Sequence, residues 1–382
     1  MESRIPRFVR AMFVGAAFSR AVFSRAMCSR VMWAATVVLA MVVSANVADG
    51  CNIPVFRFAL ERWQSDPSEV IVFHRGALTG NALMRVQELE QACGASSHAN
   101  LQLIRIDLQG EKPEGETSLE YRALWKQIER DQNASQRILK DQSLGSNEPW
   151  VVIRSRFGKD RILPHWQGPL NQLNAGELMD SPVRRELAKR LLSGDAVVWL
   201  VLKSSDAKKA ASVSDMLSKQ LASLPRKLEL PDGVGLPGSE LYSEVPLFLK
   251  FSVLEIDSSD PREAFLVSML QSLNPQAVSA GESLVAPVFG RGRALEVIPA
   301  GDLTEVLVED LTRFLSSACS CQVKEQNPGF DLVMSVNWNV ELFGDESAPE
   351  MSAPARSRID AVGEEPILVP IPRGKTGRSG QR

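Results

Sequence analysis

The stretch Glu148 to Leu170, EPWVVIRSRFGKDRILPHWQGPL, constrains what this chain can fold into more than any other. A proline is followed by the β-rich run 150–154, a turn carrying Gly158 and a return run 162–166, the pattern of a β-hairpin entered through a proline. The arrangement recurs in the second half of the chain as Ala286-Pro287-Val288-Phe289, the turn Gly290-Arg291-Gly292 and a return run 294–298. Those two glycines suit a turn that needs positive φ better than a phosphate cradle.

The surroundings of the two hairpins are also alike. Ahead of the first lie an apolar strand (70–73), a helix (81–93), a strand (101–108) and a helix near 119–128, and a helix at 182–192 comes after it. Ahead of the second lie a strand (197–202), a helix (206–224), a strand (247–256) and a helix (261–273), with a helix at 303–315 behind it. Each half reads strand, helix, strand, helix, hairpin, helix, which predicts an α/β chain of two tandem units, residues 52–193 and 195–340. That order, with a proline just ahead of each hairpin, resembles the thioredoxin-like fold, βαβαββα. The resemblance implies cis bonds at Glu148-Pro149 and Ala286-Pro287, where the trans preference is small. It also implies that the Pro149 and Pro287 loops bind an extended peptide, and that His74 sits near the Pro149 loop.

In catalytic proteins of that fold a CxxC motif stands where the first strand meets its helix, because a helix N-terminus lowers a thiol's pKa. Here the first unit has Arg75-Gly76-Ala77-Leu78-Thr79-Gly80 at that point and the second has Lys203-Ser204-Ser205-Asp206. The attacking thiol is absent from both. The expectation is therefore a module with no catalytic set and no cofactor.

The chain before residue 52 points to export. The first 48 residues carry six Arg and one Glu, a charge of +5, so the formal −3 on the whole chain leaves −8 on residues 49–382. An uncharged apolar run at 31–47 ends in small residues, with Val43-Ser44-Ala45 and Asn46-Val47-Ala48 as cleavage motifs. Read as a signal peptide, residues 1–48 are removed; read as an uncleaved anchor, they tether the protein to the membrane, although the run is short for a bilayer. Either way the body lies outside the cytoplasm, in the periplasm or cell envelope. Lipidation of Cys51 is a third reading, against which Asp49 and the early helical pattern Phe56, Leu60, Trp63 both count. The mildly acidic remainder carries no electrostatic footprint for nucleic acid. With 44% hydrophobic and 23% charged residues the chain is globular. Its tail, 344–382, is the exception, rich in Pro, Gly, Ser and charge; it predicts disorder, with Pro366 to Pro372 a polyproline segment.

The remaining chemistry is in the cysteines. Export removes Cys28 and leaves Cys51, Cys93, Cys319 and Cys321, an even count that favours disulfides with three connectivities. Cys93 ends a helix stripe formed with Leu83, Val86 and Leu89 and reads as a core residue. A bridge from Cys51 to Cys319 or Cys321 would tie the N-terminal helix to the second unit. The rival readings are a strained redox bond between Cys319 and Cys321, and a soft-metal site on both thiolates. The redox bond suffers from its helix C-terminal position, which raises a thiol's pKa. The metal site lacks ligands, since His74, His98 and His165 have no ligand spacing, so no metal is expected. The segment Ala318 to Lys324, with Asn327-Pro328-Gly329 and the strand-like run 330–338, is similar together with 52–63 to segments of a family of exported bacterial proteins of unassigned function. That resemblance implies no chemistry. Two functions therefore stand side by side: an exported, envelope-associated binding or scaffolding module whose partner is an extended peptide or another envelope protein, and a thiol-disulfide or metal-handling protein acting through Cys319 and Cys321.

Overall fold

The computed structural model describes residues 52–110, 116–138, 148–157, 161–319 and 323–345. The leader 1–48, Cys51, the Gly158 turn, Cys321 and the tail past Asp345 lie outside them.

Helix α1 (Val55–Arg62) leads into β1 (Ser68–His74), α2 (Gly80–Ala92), β2 (Leu101–Asp107), α3 (Glu116–Ile138) and the hairpin β3 (Trp150–Phe157) and β4 (Arg161–Pro169). A short α4 (Ala175–Met179) and α5 (Pro182–Leu192) close this half. The strands form one sheet in the order β2-β1-β3-β4, with β1 parallel to β2 and antiparallel to β3. A parallel pair needs a crossover, and α2 supplies it. Helix α5 starts as its residues predict: Ser181 Oγ accepts the N–H of Arg184 at 3.3 Å, and Pro182 occupies the first turn, where its missing N–H costs nothing.

The second half repeats the scheme. It runs β5 (Val197–Leu202), α6 (Ala207–Ser223), β6 (Phe251–Ile256), α7 (Ala264–Leu273), α8 (Pro275–Ser279), β7 (Leu284–Phe289), β8 (Arg293–Ala294), β9 (Ile298–Pro299) and α9 (Glu305–Ser316). Two further elements, β10 (Phe330–Asp331) and α10 (Trp338–Phe343), complete it. The sheet order is β10-β8-β7-β5-β6, β9 also pairs with β7, and β5 is parallel to β6 but antiparallel to β7. The chain is thus α/β, with two mixed sheets.

Several boundaries differ from expectation. Strand β6 begins at Phe251 rather than at 247: its mate at the start of β5 is Val197, and the pairing ends where Lys250 O accepts from Ala196 N–H at 2.8 Å. Helix α3 extends well past the apolar spacing that marked it. The cap of α9 is Thr304, whose Oγ1 accepts from Leu307 N at 3.1 Å, not Asp302. No described peptide bond is cis, so Pro149 and Pro287 are both trans. Moreover β7 begins at Leu284, so Pro287 lies inside the strand, opposite Trp199, instead of ahead of it. A central strand tolerates proline only where no ladder bond is lost. The carbonyl of Pro287 accepts from Leu295 at 3.0 Å, so its N faces the return strand, at the break between β8 and β9 where no partner carbonyl is required.

Alternation along the strands divides the interior into three clusters. Val70 and Val72 of β1 face Val86 and Leu89 of α2 and Leu187 and Leu191 of α5; Val198 and Leu200 of β5, with Phe265 and Met269 of α7, join the same core. The two sheets therefore share one apolar layer, which α7 enters by packing on β4. On the far side of the first sheet, Ile71 and Phe73 meet Tyr121 and Ile128 of α3. On the far side of the second, Val197, Trp199 and Val201 meet Leu217 and Leu221 of α6, Val308 and Leu315 of α9, and Phe56 and Ala59 of α1. All six residues of β5 are buried, as their unbroken apolar run requires of a strand covered on both faces.

The N- and C-terminal segments fasten this body. Pro54 bridges Ala318, with Val55 N–H donating to Ser317 O at 3.0 Å and Cys319 N–H to Ile53 O at 2.9 Å. Ser335 bridges Ala99 at the foot of β2, while Phe330 and Asp331 add to β8 in the other sheet. The Pro- and Gly-rich stretch 225–244, which its composition marks as a loop or flap, is pinned to α1: Asn52 N–H donates to Ser239 Oγ (2.9 Å) and Arg62 to Glu240 O (2.7 Å). No described helix is long and apolar enough to cross a membrane.

Candidate functional site

The end of β1 is the place to look, because the register that pairs Phe73 with Trp150 brings His74 and Pro149 to the same end of the sheet. His74 is half-buried, and its Nδ1 lies 2.9 Å from Gly76 O. A carbonyl can only accept, so Nδ1 carries the proton and Nε2 is the acceptor in the neutral ring. Gly76 turns at φ +67°, where a side chain would be strained, and its N–H donates to Asp107 Oδ1 at 3.0 Å. Asp107 also takes the N–H of Gln109 (2.9 Å), and these backbone donors hold its carboxyl below the usual range. Arg75 pairs with Glu129 of α3 at 2.8 Å. The loop is thus closed on itself through β1, β2 and α3, with Arg75, Ala77 and Thr79 exposed on its rim.

Pro149 is buried behind that loop, and its carbonyl accepts from Leu170 N–H at 2.8 Å. In the second sheet the matching end is formed by Leu202 opposite Leu284. There Ser204 N–H donates to Ser283 Oγ (3.0 Å) and Asp206 caps α6 through the N–H groups of Lys208 and Lys209, both at 3.1 Å. Pro287 is buried deep in β7 and does not reach this end.

The two cysteines among the described residues, Cys93 and Cys319, do not lie in that loop. Cys93 ends α2, and burial pushes its thiol up to about 12, which leaves almost no thiolate at neutral pH. Cys319 is 1% exposed within the apolar cluster behind β5. No disulfide joins described residues, and no described trio of His, Cys, Asp or Glu is placed to hold a metal ion.

The densest polar grouping is one that the sequence motifs do not mark. It lies where α1, the Gly290-Arg291-Gly292 turn and β10 meet. Asp331 Oδ1 accepts from Arg293 at 3.2 Å, its other oxygen takes Lys324 Nζ and the N–H of Asp66 (2.6 Å), and Asp66 pairs with Lys324 at 2.9 Å. Burial and the neighbouring Asp331 raise the pKa of Asp66 above the ordinary value, despite both cations. Arg291 caps the C-terminal end of α1 through Leu60 O (2.8 Å) and Glu61 O (3.2 Å) and also reaches Gln64 and Asn339. Burial lowers its pKa to about 10. Glu61 collects Arg57 Nε (2.9 Å) and the N–H groups of Tyr242 (3.0 Å) and Ser243 (2.9 Å). A signal for this cluster is present in the sequence: Arg57 and Glu61 sit one helical turn apart among Phe56, Phe58 and Leu60, charges where the stripe should be apolar. With so many partners in place, it holds segments together and leaves no group aimed at a ligand.

A second buried chain runs from Ser68 Oγ to Ser155 Oγ (2.7 Å) and on to His165 Nε2 (2.7 Å). His165 is 1% exposed and its Nδ1 has no partner. Burial pushes its pKa down to about 4, so it stays neutral. It resembles a nucleophile and base in distance alone, since no substrate can reach it.

Comparison of the chain with protein-family models, with curated proteins and with solved structures gives no match.

Proposed function

We propose that this chain is an exported, envelope-associated binding or scaffolding module of two tandem thioredoxin-like units, residues 52–193 and 195–340, that performs no thiol chemistry. The strand order β2-β1-β3-β4, and its counterpart β6-β5-β7-β8, are what such a fold requires. One observation carries the functional reading. At the end of β1, where redox members of that fold hold their attacking thiol, the chain has a loop tied down by His74, Asp107 and Arg75 and lined by no cysteine. Its half-exposed rim, Arg75 to Thr79, is where an extended peptide or another envelope protein would engage.

The test is a disulfide-exchange assay on the exported protein, with a protein disulfide as substrate and a small dithiol as reductant. No acceleration over the dithiol alone is expected. Acceleration that disappears in Cys319→Ser or Cys321→Ser would replace this reading with the thiol-handling one. Fractionation and N-terminal sequencing check export, and recovery of an intact leader in the cytoplasm would contradict it.

A further inference from the structure

We propose that Lys324 and Asp331 condense into a side-chain amide, an isopeptide bond, with Asp66 as the carrier of the protons. This inference rests on the ion cluster beside β10 and is independent of the function proposed above.

Three observations carry it. The first is contact: Lys324 Nζ lies 2.5 Å from Asp331 Oδ2 and 2.9 Å from Asp66 Oδ1, so an amine, the carboxyl it would acylate and a second carboxyl meet in one place. The second is burial. The side chains of Lys324 and Asp331 are 10% and 4% exposed, and two ions held out of water carry a desolvation cost that a neutral amide does not. The third is a difference between the two carboxyls. Asp66 is half-exposed, burial and the neighbouring Asp331 raise its pKa so that it holds a proton more readily, and its N–H, on Asp331 Oδ2 at 2.6 Å, keeps it against the reacting group.

The surroundings suit the product as well as the reactant. Arg293 Nη1 lies 3.2 Å from Asp331 Oδ1, the oxygen that the amide keeps, where it would meet the negative charge of a tetrahedral intermediate. Arg293 also donates to Asn327 O (3.0 Å) and Pro328 O (3.2 Å), so it stays partnered once the carboxylate is gone. Gln64 O accepts from Lys324 Nζ and serves the one N–H that the amide retains.

The step balances without a further reactant. The Lys324 ammonium passes one proton through Asp66 to Asp331 Oδ2, which leaves a neutral amine beside a neutral acid. Nζ attacks Cγ, the N–C bond forms and a second proton follows the same route. Oδ2 then leaves as water with the electron pair of the Cγ–Oδ2 bond, and nothing is oxidised or reduced. Groups held in contact react with effective molarities of about 10⁵ M or more, which lets an amide form that dilute partners in water would not. The ion pair is the state before this step, and the bond closes a ring over residues 324–331, fixing the segment that seats β10 on β8.

The experiment is mass spectrometry of the reduced, denatured full chain and of its tryptic peptides. Trypsin cuts after Arg313, Lys324 and Arg356, but an acylated lysine is not cut. The expected product is a single peptide, 314–356, lighter by one water, in place of 314–324 and 325–356. Lys324→Arg is expected at its full mass. In Asp66→Asn the bond is expected to form at least about a hundredfold more slowly after synthesis, as loss of a proton carrier predicts. Wild-type protein at full mass and cut at Lys324 would overturn the proposal, whether or not the variants fold. Loss of water with Lys324 still cut would place the dehydration elsewhere and overturn it too, and formation at the wild-type rate in Asp66→Asn would overturn the role of Asp66.

Discussion

Ile53 and Cys319 lie opposite each other in a two-stranded ladder, the Cys319 N–H donating to the Ile53 carbonyl at 2.9 Å with Pro54 bridged to Ala318 beside them. Cys319 is 1% exposed there, within the apolar cluster behind β5. A peptide map without reductant is expected to recover Cys93 and Cys319 as thiols, since no disulfide joins described residues. Recovery of a Cys319–Cys321 pair instead would contradict this and revive the redox reading.

The ion cluster makes an asymmetric prediction. Asp331 is 4% exposed and faces two nearly buried cations, Lys324 and Arg293. Asp331→Asn leaves those cations with the half-exposed Asp66 as their remaining counter-ion, and removing one partner of a buried pair costs about 3–5 kcal/mol. Urea unfolding should show that loss, while Arg313→Ala, whose partner Glu309 is on the surface, should cost less than about 1 kcal/mol. Similar costs for the two variants would mean that the Asp331 cluster is solvated.

His165 predicts how stability responds to acid. Its pKa is about 4 in the folded protein against 6.5 for the ordinary group, so below pH 6.5 the unfolded chain binds a proton that the folded one refuses. This contribution is fully present above pH 6.5 and is lost as pH falls toward 4, at up to about 1.4 kcal/mol per unit. Asp66 acts in the opposite sense, because a raised carboxyl pKa favours the folded state as pH falls. His165→Gln should therefore flatten the fall in urea midpoint between pH 7 and 5; an unchanged slope would show that His165 is not the responsible group.

Two glycines separate backbone strain from crowding. Gly290 has φ +58°, and a Cβ there would lie 2.7 Å from the Cβ of Ala59 in α1, whereas Gly281 has φ +69° and open space around it. Gly281→Ala should cost about 1 kcal/mol, the left-handed backbone alone. Gly290→Ala adds a clash against a packed helix and should cost about 1–3 kcal/mol more. Equal melting-temperature losses would show that α1 moves aside.

Much of the fold is legible because periodicity reports burial. The apolar run 197–202 and the helical stripes of α2, α6 and α9 depend on neighbours in sequence, so element type and order can be read from them. Pro287 shows the limit. A proline ahead of apolar residues reads the same whether it precedes a strand or occupies one, and only the interruption between β8 and β9 lets the second arrangement form without losing a hydrogen bond. The site is less legible still: His74, Asp107 and Glu129 come from three elements, and what closes the Arg75–Thr79 loop is their distance in space.

By itself the sequence determined the alternation of strands and helices and the absence of cysteine after β1 and β5, since each depends on residue type and local spacing. The tertiary structure decided which faces the two sheets share, the register that opposes Ile53 to Cys319, and the clustering of Asp66, Arg293, Lys324 and Asp331. Those are pairings between segments more than two hundred residues apart in places, and local propensity holds no record of such distance; only the joint requirement to bury apolar faces while keeping every buried charge partnered selects them.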